Sequence, residues 1–459
     1  MKKNKTQRFH LPSVIQFFFS LAVALFYGAA AFSLPMLGFM GGAKSIIFRR
    51  ASFSLDEFIP LMLISAGFAW LACLMLPSVY YAGKRVFSAP AHLDEQEMAE
   101  TEAFSTGNRE HSSHTLTLDG KTAQRLLIFT PLLFISVLSI GKYSSEMQPY
   151  GQYLLPFLHI LGISLPILWF FSLGAYRLHL SAQPRFWGVL ANSLSLTPFI
   201  ILILESIVLV LTLIVMLLWL ALSLGTEHFT SLIQSLEQVK DTQQVLQSLS
   251  PLLAQPSVLI STLVLAAILV PLLEEALKPL GIWLIYLNLS FSKGGNKTIS
   301  EGEGFGLGLL CGSGYALFES LFLASTQTEW TIVAASRAAA SLLHVVHGGL
   351  MGWAAAVAFN GNNITRKKRV GGVVLLLLVY MGVVFTHGLW NGMTLLAVFS
   401  ELSTQLPEVG KLPLVLPLGR AAPWVLGGLI VWMLMILLFL NTHLRKKEMK
   451  SVLLPNDLS

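Results

Sequence analysis

Two adjacent glutamates and a lysine interrupt an otherwise apolar stretch between Pro271 and Pro279. On a helix, Glu274 and Lys278 would form an i,i+4 pair in the favourable order, and Glu275 would reach Lys278 at i,i+3. Because two carboxylates face one lysine, one negative charge is left over after that pairing. The prolines leave backbone carbonyls without their usual donors, which suits a site that is open to water. The motif therefore predicts a polar, chemically active position inside an apolar segment.

Three further apolar segments carry polar side chains at helical spacing. A spacing of four residues places two side chains on one face of a helix, and a spacing of seven places them on one stripe two turns long. The pairs are Tyr315 with Glu319, Arg337 with His344, and His387 with Asn391; His347 lies one turn after His344.

The chemistry of these side chains is complementary. A buried glutamate can act as the general base for a water molecule. Histidine can stabilise an oxyanion, move a proton or bind a metal ion, and Asn391 can donate a hydrogen bond to an oxyanion or orient a neighbouring group. Arg337 and Lys278 would keep the carboxylates near electrical neutrality. The set predicts a hydrolytic site that activates water.

The composition places these residues in a membrane protein. The chain has 459 residues, of which 54% are hydrophobic and 12% are charged, whereas about a quarter are charged in soluble domains. This excludes a soluble globular enzyme, a disordered protein and a disulfide scaffold. The net charge of +6 is assigned to cytoplasmic loops rather than to nucleic-acid binding. We therefore expect the lipid bilayer, and no nucleic acid, as a partner.

Ten apolar segments approach or exceed the roughly 20 residues that a helix needs to cross the hydrocarbon core. Backbone polar groups in lipid have to be satisfied within the segment, so these segments are predicted to be helices. The fold class is accordingly all-α, a polytopic membrane helical bundle with about ten transmembrane helices. The predicted spans are residues 13–40, 58–82, 126–141, 154–176, 196–224, 257–289, 305–324, 333–359, 371–398 and 422–441.

The basic residues indicate the orientation of the chain. With the N-terminus inside, 21 lysines and arginines fall in inner segments and seven in outer segments. Lysine and arginine accumulate on the cytoplasmic side of membrane proteins. Both termini are therefore predicted to be cytoplasmic, in an integral membrane protein.

The sequence divides into four predicted regions. Residues 1–195 hold four spans and a polar segment near 88–122, which is predicted to be a disordered cytoplasmic linker. Residues 196–256 combine the fifth span with an outer amphipathic segment whose apolar residues have helical spacing. Residues 257–398 carry the four spans with the ionisable side chains, and residues 399–459 hold the last span and a basic cytoplasmic tail.

The four motifs, in their order, resemble the PrsW-type intramembrane proteases, distant relatives of the CAAX prenyl protease type II and bacteriocin-immunity group. The resemblance rests on EEALK from Glu274, on Tyr-x-x-x-Glu ending at Glu319, on an Arg followed by His344, and on His-x-x-x-Asn from His387. It covers the four spans with ionisable residues, less than a third of the chain. The sequence departs from the family pattern at Tyr315, where the family usually has Phe.

The resemblance implies an intramembrane endopeptidase of a bacterial cytoplasmic membrane that hydrolyses a membrane-protein substrate with water activated by glutamate. Two mechanisms stay open, because Glu274 could activate the water alone, or Glu275, His344 and His387 could hold a divalent metal ion such as zinc. The catalytic set that the resemblance implies is Glu274, Glu275, Glu319, His344 and His387, and the supporting set is Lys278, Tyr315, Arg337 and Asn391.

Functions of two other classes also fit these residues. Buried Glu and His side chains form relays in proton-coupled transporters, and Glu205 in the fifth span suits that interpretation, although no inverted repeat is visible. A catalytically idle immunity or scaffold protein would keep the same helices without turnover. Other intramembrane proteases are disfavoured, since the sequence has no HExxH motif, and Cys311 replaces the first glycine of a rhomboid-type motif around Ser313.

Overall fold

A computed structural model describes most of the chain. Of the outer amphipathic segment predicted at 226–256, only residues 229–230 and 250–256 are described, and most of the linker predicted near 88–122 also lies outside the described residues. The described residues are 11–47, 55–87, 115–117, 120–147, 150–225, 229–230, 250–291, 299–322, 330–359, 366–412 and 414–453.

The described part of the chain is an all-α integral membrane protein with one short pair of strands. Within these residues, nine helical segments are long and apolar enough to cross a membrane, which confirms the predicted fold class. These segments are Leu11–Met36, Pro60–Phe87, Lys121–Glu146, Leu155–Gly174, Gln183–Leu224, Pro256–Leu289, Trp330–Phe359, Lys367–Gln405 and Val415–Lys450. The orientation of the termini stays a prediction.

The helix bounds follow the apolar segments and extend beyond most of them, because hydropathy marks only the lipid-compatible part of a helix. The helices are α1 (Leu11–Ile47), α2 (Leu55–Phe87), α3 (Gly120–Glu146), α4 (Leu155–Gly174), α5 (Gln183–Ser193), α6 (Leu196–Leu224), α7 (Pro256–Val264), α8 (Val270–Leu277), α9 (Leu280–Phe291), α10 (Glu301–Leu321), α11 (Trp330–Phe359), α12 (Arg366–Gln405), α13 (Pro407–Gly410) and α14 (Val415–Leu453). A π-helical segment, Leu265–Leu269, joins α7 to α8.

One predicted span differs from the others in polarity. The segment predicted at 305–324 forms α10, which is buried along nearly its whole length and is not among the nine apolar segments. Its 21 residues extend about 31 Å, enough to cross the hydrocarbon core. Three glutamates, Glu301, Glu303 and Glu319, lower its hydropathy, so α10 depends on partners in the protein rather than on lipid.

The chain divides into two compact units. The four spans with ionisable residues contribute to both units, since one boundary falls directly after Leu277. The first unit comprises Met1–Pro198, Lys278–Leu376 and Ile436–Ser459, and the second comprises Phe199–Leu277 and Leu377–Met435.

Within the first unit, helices pack in pairs. Helix α1 packs on α2, α3 packs on α4, and α10 packs on α11, while α4 also contacts both α10 and α11. The segment predicted as a linker contributes one ordered element, strand β1 (Thr115–Thr117), which pairs antiparallel with β2 (His179–Ala182). A strand this short has no hydropathy pattern of its own, because its stability comes from a partner that is distant in sequence.

Glycines allow α10 and α11 to approach each other closely. A Cβ atom added at Gly308 would collide with the carbonyl oxygen of Gly348, and one added at Gly312 would collide with that of His344. Small residues at such contacts let the backbones of membrane helices come together. The close approach fixes the ionisable side chains of the two helices relative to each other.

Polar contacts anchor the start of α10. The hydroxyl of Ser300 accepts a hydrogen bond from the backbone N–H of Glu303 at 3.0 Å, as an N-cap residue does. The Glu303 carboxylate, which is buried, accepts hydrogen bonds from Ser181 at 2.7 Å and from Arg185. Helix α10 is thereby tied to β2 and α5 before it enters the apolar region.

The helix contact at Gly312 generates the first prediction. Gly312→Ala should lower the free energy of unfolding by about 1–3 kcal/mol, because the new methyl group meets a backbone carbonyl that cannot move aside. Gly371→Ala on α12 is the matched control, since nothing lies within 4 Å of its Cβ position; it should be neutral or slightly stabilising. Thermal unfolding in detergent, followed by tryptophan fluorescence, measures both. Equal stability of the two variants would contradict the contact.

Candidate functional site

Five of the predicted residues come together in the first unit and form the Glu319 group: Lys278, Tyr315, Glu319, Arg337 and His344. One carboxylate oxygen of Glu319 lies 3.0 Å from Nη2 of Arg337, and the other lies 2.8 Å from Nε2 of His344. Arg337 also donates from Nε to the hydroxyl of Ser320 at 3.0 Å. The close packing of α10 on α11 thus pairs the glutamate of one helix with the arginine and histidine of the other.

Both ring nitrogens of His344 have partners in the Glu319 group. Nδ1 lies 2.8 Å from Nζ of Lys278. An ammonium group can only donate, so Nδ1 accepts and the ring proton sits on Nε2, from which it is donated to Glu319. His344 is therefore a neutral imidazole that links a lysine to a carboxylate, and binding a metal ion would require one of these contacts to break.

The ring of Tyr315 completes the Glu319 group. Nζ of Lys278 lies 4.8 Å from the centroid of the Tyr315 ring, and the ring meets His344 edge-to-face at 5.5 Å between centroids. Lys278 is fully buried, and a cation over an aromatic face is stabilised most strongly when it is desolvated. The tyrosine that replaces the usual phenylalanine keeps this aromatic face.

The remaining catalytic candidates come together in the second unit and form the Glu274 group: Glu274, Glu275 and His387. All three are buried, with exposed fractions of 6%, 1% and 3%. Nδ1 of His387 lies 2.7 Å from a carboxylate oxygen of Glu275, and Nε2 lies 4.0 Å from a carboxylate oxygen of Glu274. The two adjacent glutamates therefore lie near different nitrogens of the same imidazole ring.

The contact with Glu275 defines the tautomer of His387. An ionised carboxylate only accepts, so Nδ1 carries a proton and, in the neutral imidazole, Nε2 is an acceptor. This acceptor and the Glu274 carboxylate face each other at a distance too long for a direct hydrogen bond. Two such atoms suit either the two protons of one water molecule or a divalent cation, which prefers imidazole and carboxylate ligands.

The backbone between α7 and α8 departs from α-helical geometry next to the Glu274 group. Pro271 has no N–H, so the carbonyl of Ala267 lacks its usual i+4 donor, and residues Leu265–Leu269 form a π-helical segment. Asn391 donates from its side-chain amide to the carbonyl of Ala266 at 3.0 Å. This contact fits the orienting role among the two predicted for Asn391, and both roles stay predictions.

Tyr380 contacts the helix that carries the two glutamates, and no sequence motif indicated this residue. Its hydroxyl donates to the carbonyl of Leu272, 2.8 Å away, at the start of the α8 turn that carries the two glutamates. Tyr380, His387 and Asn391 are spaced by seven and four residues, so they share one face of α12. That face therefore contacts the interrupted helix at two positions before the glutamates and at Glu275 itself. The signal that could have indicated Tyr380 is its position between apolar residues, seven residues before His387 and therefore on the same face of the helix.

Comparison with protein families adds to this geometry. Residues 210–417 match the family described as PrsW family intramembrane metalloprotease. The matched range is just under half of the chain, and it contains every residue predicted for the site. Neither a curated protein nor a solved structure matches the chain.

The match supports a PrsW-type intramembrane protease and therefore a peptidase activity within the bilayer. The family is described as metalloproteases, and the buried glutamates and histidines of the matched range are residue types that could bind a metal ion. Helices α1 to α5 precede the matched range.

The ion pair of the Glu319 group generates the second prediction. In a double-mutant cycle, Glu319→Gln and Arg337→Gln should each lower the free energy of unfolding. The double variant should lose less free energy of unfolding than the two single variants lose together. We expect a coupling energy of about 1–3 kcal/mol from thermal unfolding in detergent, as for contacting partners in one network.

The matched control for this cycle is the pair Glu408 and Lys411, whose side chains are 57% and 70% exposed. Its coupling energy should be roughly 0–1 kcal/mol, because water screens exposed charges. A Glu319–Arg337 coupling as small as that of the exposed pair would show that the buried contact contributes nothing to stability.

Proposed function

We propose that the protein is an intramembrane endopeptidase that hydrolyses a membrane-protein substrate with water activated by Glu274. The observation that carries the proposal is the buried contact between Glu275 and His387 in the matched range, together with the gap of 4.0 Å between Nε2 of that histidine and Glu274. This is an arrangement of a base, an imidazole and an orienting carboxylate.

In the proposed reaction, Glu275 holds His387 in the tautomer whose Nε2 accepts a hydrogen bond. A water molecule donates one hydrogen bond to Nε2 and a second one to the Glu274 carboxylate. As Glu274 takes its proton, the water oxygen attacks the peptide carbonyl carbon and forms a tetrahedral intermediate. Glu274 then returns the proton to the peptide nitrogen while the C–N bond breaks, which releases the two products and restores the carboxylate.

We assign the Glu319 group a supporting role. Its members carry the positive charges of Lys278 and Arg337 against one carboxylate, with a neutral His344 between them. The two cations neutralise the buried carboxylate and hold it in place. The contacts of Glu319 and His344 engage both carboxylate oxygens and both ring nitrogens, which supports Glu274 rather than Glu319 as the base.

A metal ion is compatible with the Glu274 group. The sequence suggested Glu275, His344 and His387 as ligands, but Nδ1 of His387 and both nitrogens of His344 have other partners. The contacts therefore favour Nε2 of His387 and the Glu274 carboxylate as ligands, with Glu275 orienting the histidine, as carboxylates do for metal-bound imidazoles. A bound metal ion would supply Lewis-acid activation of the water and of the peptide carbonyl.

The division of roles between the two glutamates generates the third prediction. Glu274→Gln and His387→Ala should each abolish cleavage of a co-expressed membrane substrate, because they remove the base and its partner. Glu275→Gln should keep part of the cleavage activity, since the amide oxygen can still accept from Nδ1. Glu275→Leu should be roughly 10–100-fold less active than Glu275→Gln. Cleavage is measured by immunoblot of the substrate, normalised to the level of the protein.

Glu408→Gln is the control for this series, because it alters an exposed carboxylate in the first turn of α13 and should keep normal cleavage. Retained cleavage in both Glu274→Gln and His387→Ala would exclude the proposed site. Substrate-dependent proton flux in vesicles, lost in a Glu205→Gln variant, would instead support a transporter.

Metal content gives the fourth prediction. If the ion is held by Glu274 and His387, purified wild-type protein should contain about one zinc or other divalent ion per chain, and His387→Ala should lose it. His344→Ala should retain the metal, because both nitrogens of that ring have other partners. Elemental analysis by mass spectrometry measures all three proteins after the same dialysis.

The outcomes of the metal analysis are distinct. Loss of metal from His344→Ala would restore the ligand set that the sequence suggested and would contradict the set argued from the contacts. Active wild-type protein without stoichiometric metal, insensitive to chelators, would support the mechanism in which Glu274 acts alone.

A further inference from the structure

The last turn of α10 is held by side chains from two other helices. Glu319 and Ser320 are bound by Arg337 of α11, as described above. The next residue, Leu321, accepts a hydrogen bond at its backbone carbonyl from Nε2 of His159 on α4, at 3.1 Å. Three consecutive residues are therefore fixed, and the third contact comes from a helix that precedes the range matched by the family.

The His159 contact satisfies a helix end. Helix α10 ends at Leu321, and the last carbonyls of a helix have no partner within the helix. His159 is 2% exposed, and among the described residues Nδ1 has no hydrogen-bond partner. The ring proton therefore belongs on Nε2, where it is donated to Leu321. An unsatisfied carbonyl in this apolar setting would be costly.

Other residues of the N-terminal helices pack against the same end of α10. The rings of Phe68 on α2 and Phe322 lie 4.9 Å apart between centroids. A Cβ atom at Gly67 would be 3.6 Å from the ring of Phe322 and 3.7 Å from Cβ of Leu321. The end of α10 is thus enclosed by apolar contacts around the His159 hydrogen bond.

The beginning of α11 is held by the same N-terminal region. Trp330 is fully buried in a cluster with Val137 of α3 and Leu155 of α4. Its ring leaves no room for a Cβ atom at Gly141 and would lie 3.4 Å from one at Gly162. The N-terminal helices therefore fix both the helix end that carries Glu319 and the helix start that leads to Arg337 and His344.

We propose that His159 is a positioning residue for Glu319 and Arg337, and that α2 to α4 are required for the active geometry of the protease. This inference rests on the proposed function. Loss of the His159 hydrogen bond frees the last turn of α10, which shifts Glu319 relative to its two partners. A displacement of about 1 Å in such a group can lower the rate about 100-fold.

The test compares His159→Leu with His159→Gln. Glutamine can present an amide N–H near the position of Nε2, whereas leucine has a similar volume and no donor. His159→Leu should lower kcat at least about tenfold with little change in KM, while His159→Gln should stay within about threefold of wild type. Trp169→Phe is the matched control, because it removes a donor from the same helix to the carbonyl of Leu127 on α3, away from α10.

Hydrogen–deuterium exchange of residues 315–321 gives a readout that does not depend on catalysis. Exchange there should be faster in His159→Leu than in His159→Gln and Trp169→Phe. Normal kcat in His159→Leu, or equal losses in both His159 variants that follow the folded fraction, would overturn the inference. If the wild-type protein cleaves no substrate, the proposed function fails, and the exchange difference alone decides whether His159 positions α10.

Discussion

A charge placed inside an apolar helical protein has to be neutralised by partners of the right geometry, and this constraint organises both groups of site residues. Leaving one member of a buried pair without its partner costs about 3–5 kcal/mol. Glu319 is bound by Arg337 and His344, and Lys278 by the His344 ring and the Tyr315 face. Because each contact uses a specific nitrogen or oxygen, neutralisation also fixes which atoms hold protons.

Backbone carbonyls are the second recurring element. Ala266 and Leu272 accept from Asn391 and Tyr380, and Leu321 accepts from His159. Ala266 lies in the π-helical segment and Leu321 at the end of α10, where a carbonyl lacks its regular helical partner, whereas Leu272 lies within α8. In each case the donor comes from another helix and ties the accepting segment to it.

The sequence predicted the spans and the motifs because both leave local patterns. Apolar length revealed the helices, and spacings of three, four and seven residues revealed which ionisable side chains share a face. The contacts of Tyr380 and His159 could not be predicted, since a side chain that donates to a distant carbonyl has no spacing rule. The roles of Glu275 and His344 were also left open, because protonation at Nδ1 or Nε2 depends on partners from other helices. The orientation and the predicted region boundaries stay predictions.

The two groups differ in what they can do chemically. In the Glu319 group, the described contacts pair donors with acceptors until both nitrogens of the central imidazole are used. In the Glu274 group, Glu275 accepts from Nδ1 of His387, and Nε2 lies 4.0 Å from a carboxylate oxygen of Glu274. A carboxylate and an imidazole nitrogen at that distance could orient one water molecule between them, which is what the proposed hydrolysis requires. This spacing, rather than the presence of glutamate and histidine as such, supports the role proposed for Glu274.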